Sequence, residues 1–135
     1  MGAALLATLI IASTLWSVHP ARATVHAIND FDAAPVKAIL RPELGAICAC
    51  ESSYEGTASG KPQQFEKDGV TVRTGRINVL DKGMCQINLK YHQAQALKMK
   101  LDLLTEYGNI TYANWLYGQQ GSKPWNWSAG CWLKK

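Results

Sequence analysis

Four cysteines constrain this chain of 135 residues most, because paired cysteines bring distant segments of a chain together. They are Cys48, Cys50, Cys85 and Cys131, and all of them follow a long apolar N-terminal stretch. An even number of cysteines in a small exported domain indicates up to two disulfides formed in an oxidising compartment. A zinc site is the weaker interpretation, because Cys48-Ala49-Cys50 lacks the usual ligand spacing. The sequence implies no metal and no organic cofactor.

The N-terminal residues are typical of a secretory signal peptide. An uncharged apolar run covers residues 3–16, which is shorter than the span of about 20 residues that a membrane helix needs. Pro20 follows this run, and Ala21-Arg22-Ala23 then supplies small residues where signal peptidase cuts. We predict a signal peptide over residues 1–23 and one domain over residues 24–135. A cut after Ala27 and an uncleaved membrane anchor are the alternatives, since no lysine or arginine precedes the run.

Charge and composition restrict the partners. Lys and Arg number 14 against 10 Asp and Glu, for a net charge of +4. These charges are dispersed, so they favour an acidic partner without pointing to nucleic acid. Hydrophobic residues make up 47% of the chain, which suits one small folded domain and excludes a disordered one. We expect a monomer that binds no nucleic acid and, after signal removal, no membrane.

Residue patterns predict an α+β fold, mostly helical with a small antiparallel β region. A helix begins at Pro42 and ends near Ser52-Ser53. The turn Asp68-Gly69 joins predicted strands over residues 64–67 and 70–73. A third strand is predicted over residues 76–80, and a fourth strand or an extended connection over residues 83–87.

Two further helices are predicted, one over residues 89–100 and one from Thr105 to Gln119. Asn88 and Thr105 are the expected N-caps, and Gly121 stops the second helix. The second helix is expected to pack through a mostly apolar stripe of five residues, namely Leu103, Tyr107, Ile110, Asn114 and Tyr117.

Glu51 is the strongest candidate for a catalytic residue. Leu44, Ile47 and Cys48 fall on one face of the first predicted helix, and Glu51 continues that face at its C-terminal end. Burial and the negative end of the helix dipole both disfavour an ionised carboxylate there, so both raise its pKa. A carboxyl group that stays protonated near neutral pH can act as a general acid. A surface glutamate at a frayed helix end is the alternative.

A second cluster of polar residues lies between Asp81 and Asn88. An extended segment would direct Met84, Gln86 and Asn88 to one side, with the amides of Gln86 and Asn88 available to sugar hydroxyls and N-acetyl groups. A turn at Asp81-Lys82-Gly83 that leads to a helix cap at Asn88 is the alternative. His92 is expected to be a structural or surface histidine.

Four short motifs in this order resemble the lysozyme-like superfamily, and most closely its small secreted transglycosylase SLT-type domains. They span Pro42 to Trp132. They are Cys50-Glu51-Ser52, Asp81-x-Gly83-x-x-Gln86-Ile87-Asn88, Asn109-Ile110-x-Tyr112-Ala113-x-x-Leu116-Tyr117 and Trp125-x-x-Ser128-x-x-Cys131-Trp132.

The resemblance implies a lysozyme-like fold, with the β region beside a catalytic cleft, and cleavage of the β-1,4 bond between N-acetylmuramic acid and N-acetylglucosamine in peptidoglycan. It implies Glu51 as the single acid/base of a lytic transglycosylase, oriented by Ser52. Gln86 and Asn88 are then expected to line the sugar cleft, and Tyr112 lies on the helix that closes it.

Asp81 leaves the reaction product open. Its position is similar to that of the second carboxylate in animal-type lysozymes, which hydrolyse the same bond as muramidases. A turn residue is the alternative for Asp81, and a wall-binding module without activity is the alternative for the whole chain.

The C-terminal segment departs from the family pattern. Many SLT domains carry a tyrosine there that contacts the catalytic glutamate, whereas this chain has Trp125-Asn126-Trp127-Ser128. Tyr112 or a tryptophan is the expected substitute. Trp125 and Trp132 are expected in the core, and Trp127 is a candidate for stacking on a sugar ring.

The sequence pattern alone determines only part of the disulfide pairing. Cys48 and Cys50 point about 200° apart on a helix and cannot share one partner. The resemblance implies Cys50–Cys131, which leaves Cys48–Cys85, with free thiols as the alternative.

Overall fold

The computed structural model describes residues 37–134, so the predicted signal peptide over residues 1–23 and the start of the domain lie outside the described residues. The described part combines helices with a small antiparallel pair, which confirms the predicted α+β class. Its elements are α1 (Pro42–Ser52), β1 (Asp81–Lys82), β2 (Ile87–Asn88), α2 (Leu89–Lys98), α3 (Glu106–Gln120), a 3₁₀ helix (Lys123–Ser128) and α4 (Ala129–Trp132). None of the helices within residues 37–134 has the length and apolar character needed to cross a membrane.

Helix α1 forms where it was predicted and holds the apolar core on one face. Pro42 occupies its first turn together with Glu43, and Leu44, Ile47 and Cys48 are buried. The helix ends because Ser53 is extended, with its N–H donating to the carbonyl of Ala49.

Arg73 satisfies carbonyl groups at the C-terminal end of α1. Its Nε donates to the carbonyl of Ser52 at 2.5 Å, and a terminal nitrogen lies 3.4 Å from the carbonyl of Ser53. A second terminal nitrogen pairs with the Glu66 carboxylate at 2.6 Å. A cation at this helix end opposes the negative pole of the dipole and fixes the end of α1 against the following loops.

The β region is smaller than predicted. Residues 64–73 form a hairpin with a single bridge, Phe65 with Val72. The predicted strand over residues 76–80 is wrong: Ile77 and Val79 alternate in the sequence but are exposed, in a segment of bends and turns. Strands β1 and β2 pair antiparallel, with Asp81 opposite Asn88.

The extended conformation predicted over residues 83–87 is also wrong. The chain turns between β1 and β2, where Gln86 donates its N–H to the carbonyl of Gly83. Gly83 has φ 74° and Gln86 has φ 50°, so both adopt the left-handed conformation. This costs little at Gly83, but at Gln86 it is uncommon for a residue with a side chain.

Helix α3 begins and ends at the predicted caps but buries a different face. The Thr105 hydroxyl accepts from the N–H of Gly108, and Gly121 follows the last turn with φ 60°. The predicted stripe is wrong at Tyr107, which is exposed. The buried face includes Asn109, whose amide bonds the backbone of the β1–β2 turn and of the segment before α3. An apolar pattern could not identify a face that buries an amide.

Both expected disulfides are present. Cys48 pairs with Cys85 and joins α1 to the β1–β2 turn. Cys50 pairs with Cys131 and joins the same helix to α4. Trp125 is buried in the core as predicted, whereas Trp132 is only partly buried against it. One helix is thus fixed to both segments that flank Glu51 in space.

Candidate active site

A cleft of about 740 Å³ opens beside the C-terminal end of α1. Segments distant in sequence form its walls: α1, residues 75–78, the β1–β2 pair, the first turn of α2, and the 3₁₀ helix. Five of the predicted site residues line it, namely Glu51, Asp81, Gln86, Asn88 and Trp127. Leu116 and Gln120 of α3 complete the lining, so six segments of the chain meet at this cleft.

Glu51 lies on this cleft with a perturbed carboxyl group. Burial is the main cause that raises its pKa, and the nearby negative charge of Asp81 adds to the rise. A hydrogen bond from the Ser128 hydroxyl, 2.5 Å from Glu51 Oε1, acts in the opposite direction because it stabilises the carboxylate. The net effect is a carboxyl group that retains its proton to higher pH, as a general acid requires.

Ser128 can contact Glu51 in both protonation states. Its hydroxyl lies 2.5 Å from Glu51 Oε1 and 3.0 Å from the carbonyl of Trp125, and it accepts from Trp132 Nε1 at 3.1 Å. The single hydroxyl proton can point to an ionised Glu51. When Glu51 is protonated, the same proton can point to the Trp125 carbonyl and leave the hydroxyl oxygen as an acceptor.

The hydroxyl group beside Glu51 therefore belongs to Ser128, and not to Ser52 or Tyr112. Ser52 is fully buried, donates to the carbonyl of Cys48 and accepts from the N–H of Gln63, so its predicted role in orienting Glu51 is wrong. Tyr112 is also buried and does not line the cleft, because its hydroxyl turns to His92. Tyr112 is thus wrong as the expected substitute for the missing family tyrosine, and the tryptophan alternative stays a prediction.

Asp81 faces the same cleft from a different wall. Its Oδ1 accepts from Asn88 Nδ2 at 2.5 Å, across the pair of β1 and β2. The other amide atom of Asn88 caps α2 by accepting from the N–H of Lys90. Asn88 lines the cleft, and its amide holds Asp81 and caps α2 while one N–H and one lone pair remain for a ligand.

Gln86 lines the cleft and holds one acceptor atom without a partner. Its Nε2 donates to the carbonyl of Gly83 at 2.7 Å. Its buried Oε1 has no hydrogen-bond partner among residues 37–134. A Cβ atom at Gly75 would lie 2.9 Å from this oxygen, so a glycine is required next to it. A buried carbonyl oxygen without a partner is costly, and a ligand donor would satisfy it.

Exposed apolar side chains surround the cleft. Trp127 and Ile77 are fully exposed, and Tyr91 is 71% exposed, yet all three line the cleft. Flat aromatic rings at the edge of a polar cleft are suited to stacking on the apolar faces of sugar rings.

Two residues of the site were missed by sequence reasoning. Ser128 belongs to a motif that carried the resemblance, and its position three residues from Trp125 and three from Cys131 was the available signal. His92 was expected to be structural or on the surface, but it lines the cleft. Within residues 37–134, no cluster of three or more His, Cys, Asp or Glu side chains is arranged to hold a metal ion.

No protein-family model matches this chain, and neither does any curated protein or solved structure. The chemistry of the cleft therefore rests on the residues that line it. These are one buried carboxyl group with a raised pKa, a second carboxylate held by an amide, and an unpartnered amide oxygen.

Proposed function

We propose that this chain is an exported peptidoglycan lytic transglycosylase of the lysozyme-like superfamily, in which Glu51 is the single acid/base. The observation that carries the proposal is the Glu51 carboxyl group on the cleft, whose pKa is raised by burial. The exposed aromatic side chains of Tyr91 and Trp127 at the cleft edge support a glycan as the substrate.

The reaction needs one carboxyl group and no water. Protonated Glu51 donates its proton to the glycosidic oxygen while the bond between that oxygen and C1 of the muramic acid breaks. The resulting carboxylate then takes the proton of the 6-hydroxyl group of the same sugar, whose oxygen attacks C1. The product is a 1,6-anhydro sugar, and Glu51 is protonated again. Ser128 supports both states because its hydroxyl can donate to the carboxylate or accept from the acid.

Asp81 favours a second candidate, a muramidase that hydrolyses the same bond. Its carboxylate lies close enough to raise the pKa of Glu51, and both side chains line one cleft. In retaining hydrolysis such a second carboxylate attacks C1 or stabilises the positive charge that develops there.

The remaining features are compatible with work in the cell envelope. Two disulfides indicate an oxidising compartment, and the net charge of +4 favours approach to an anionic cell wall. No cofactor takes part in the proposed reaction.

Digestion of purified peptidoglycan, followed by mass analysis of the fragments, tests the proposal. Anhydro ends are the expected result, reducing ends would favour the muramidase, and binding without cleavage would favour an inactive wall-binding module. Glu51→Gln is expected to bind without cleaving. Glu43→Gln is the matched control, because Glu43 lies exposed at the other end of the same helix.

A further inference from the structure

His92 and Tyr112 form a hydrogen-bonded pair at the cleft wall, outside the acid and its partners. His92 lies on α2 and lines the cleft, and Tyr112 lies behind it on α3. His92 Nδ1 is 3.1 Å from the Tyr112 hydroxyl oxygen, and the two rings meet edge to face at 5.6 Å. Tyr112 is 1% exposed, whereas His92 is only partly buried, so the contact is covered on the side of α3.

The surroundings of Tyr112 determine which ring nitrogen of His92 carries the proton. The Tyr112 hydroxyl has no other partner among residues 37–134, so its proton is satisfied only if it points to His92 Nδ1. Burial raises the pKa of Tyr112 and keeps that proton in place. Burial also lowers the pKa of His92 and favours the neutral ring. A neutral ring that accepts at Nδ1 carries its proton on Nε2.

Nε2 is the nitrogen left free for the cleft. It makes no hydrogen bond within the described residues, although His92 lines the cleft. Elsewhere in the cleft Glu51, Asp81 and Gln86 carry oxygen atoms, and the unpartnered oxygen of Gln86 can only accept. A neutral N–H donor therefore complements them toward a ligand that has both hydroxyl donors and oxygen acceptors, as a glycan does.

We infer that His92 is a ligand-binding residue whose Nε2–H donates to an oxygen atom of the bound glycan, and that Tyr112 is a positioning residue that fixes this tautomer. The choice of a glycan rests on the proposed function. The tautomer rests only on the contacts of Tyr112.

Long-range nitrogen-15 NMR spectra of the histidine rings test the tautomer without any ligand. The expected result is a neutral His92 with its proton on Nε2, and a proton on Nδ1 would overturn the inference. In Tyr112→Phe the preference is expected to weaken to a mixture of tautomers. An unchanged spectrum in that variant would show that Tyr112 does not position the ring.

A pair of substitutions tests the contact to the ligand. Glutamine places an amide N–H near the site of Nε2, whereas asparagine places its amide near the site of Nδ1. In a Glu51→Gln parent, which binds without turnover, His92→Asn is expected to weaken the binding of soluble, peptide-free glycan strands about 10-fold, the factor of one lost hydrogen bond. His92→Gln is expected to stay within about 2-fold of the parent.

Calorimetric titration measures the binding, and thermal melting confirms that each variant folds. Equal affinity of the asparagine variant, the glutamine variant and the parent would overturn the role of His92 and leave the proposed function intact. A parent that binds no glycan would overturn the proposed function and the glycan ligand together, whereas the NMR result would still decide the tautomer.

Discussion

The two walls of the cleft that carry carboxyl groups are built in different ways. The acid wall consists of α1 and the 3₁₀ helix, and the Cys50–Cys131 disulfide joins α1 to α4, which directly follows the 3₁₀ helix. The loop wall consists of residues 73–88, whose only regular strands are β1 and β2, two residues each. Glu51 on the acid wall and Asp81 on the loop wall are both partly buried, and burial of the Glu51 carboxyl group raises its pKa.

This difference shows how one cleft can hold two carboxyl groups in unlike environments. Packed helices remove water from Glu51, and this burial raises its pKa. The loop wall leaves Asp81 in contact with the cleft and supplies an amide donor from Asn88. When two carboxyl groups of one site lie in different environments, they usually have different roles in catalysis.

Replacing the carboxyl group on each wall by an amide should have very unequal effects on turnover. Glu51→Gln removes the only proton donor that the proposal uses, so kcat is expected to fall about 10²–10⁴-fold. Asp81→Asn is expected to lower kcat by less than about 10-fold, because an anhydro product needs no second carboxylate. Rates of fragment release from peptidoglycan measure both. Equal losses would contradict the division of roles and favour the muramidase.

Removing each disulfide in turn distinguishes the effect of the bond that supports the acid wall from the effect of the bond that joins the two walls. The double change Cys50→Ser with Cys131→Ser is expected to cost about 2–4 kcal/mol in the free energy of unfolding. It should also admit water to Glu51, lower its pKa and move the alkaline limb of activity to lower pH. Denaturant unfolding and a pH profile measure these effects.

Cys48→Ser with Cys85→Ser is the matched control, since this disulfide joins α1 to the loop wall. A loss of stability of similar size is expected there, about 2–4 kcal/mol. If the pH profile moves as far in this variant as in the first, the Cys50–Cys131 disulfide has no specific role in keeping water away from Glu51.

Substitutions at Ser128 and Asp81 should shift the pKa of Glu51 in opposite directions. Ser128→Ala removes a donor that stabilises the carboxylate, so the pKa of Glu51 rises and the alkaline limb moves to higher pH. Asp81→Asn removes a neighbouring negative charge, so the pKa falls and the limb moves to lower pH. Profiles of kcat/KM against pH measure both, and shifts of the same sign would contradict the geometry of the site.

The smallest expected effect is on stability. Both folded and unfolded Glu51 are protonated below the unfolded pKa of about 4.3, so wild type and Glu51→Gln should melt alike at low pH. Above it the unfolded carboxyl ionises freely, whereas burial opposes ionisation in the folded state. The wild type should therefore lose stability relative to Glu51→Gln as pH rises toward 7. A wild type that gains stability instead would mean that Glu51 is not buried.

The parts of the structure that depend on local signals were predictable from the sequence. Helix α1 follows from Pro42 and its apolar face, and α3 follows from its caps Thr105 and Gly121. Strand prediction over residues 76–80 was wrong because Ile77 and Val79 alternate without a neighbouring strand to pair with. Alternation predicts a strand only where the fold supplies a partner.

The site depends on contacts between distant residues, which local patterns do not contain. Glu51 was identified from its helical face, but its hydroxyl partner lies 77 positions away at Ser128. The motif that contains Ser128 and Cys131 provided an indirect signal, because a bond between Cys131 and Cys50 brings this segment next to Glu51. His92 was missed because its position in the cleft depends on the packing of Tyr112 behind it.

The central claim is that Glu51 acts alone and that the sugar's own hydroxyl replaces water. Digestion of purified peptidoglycan in water labelled with heavy oxygen tests this most directly, with mass analysis of the released ends. The account predicts 1,6-anhydro ends that contain no label, and no release by Glu51→Gln. Reducing ends that each carry one labelled oxygen would contradict it and assign Asp81 a part in hydrolysis.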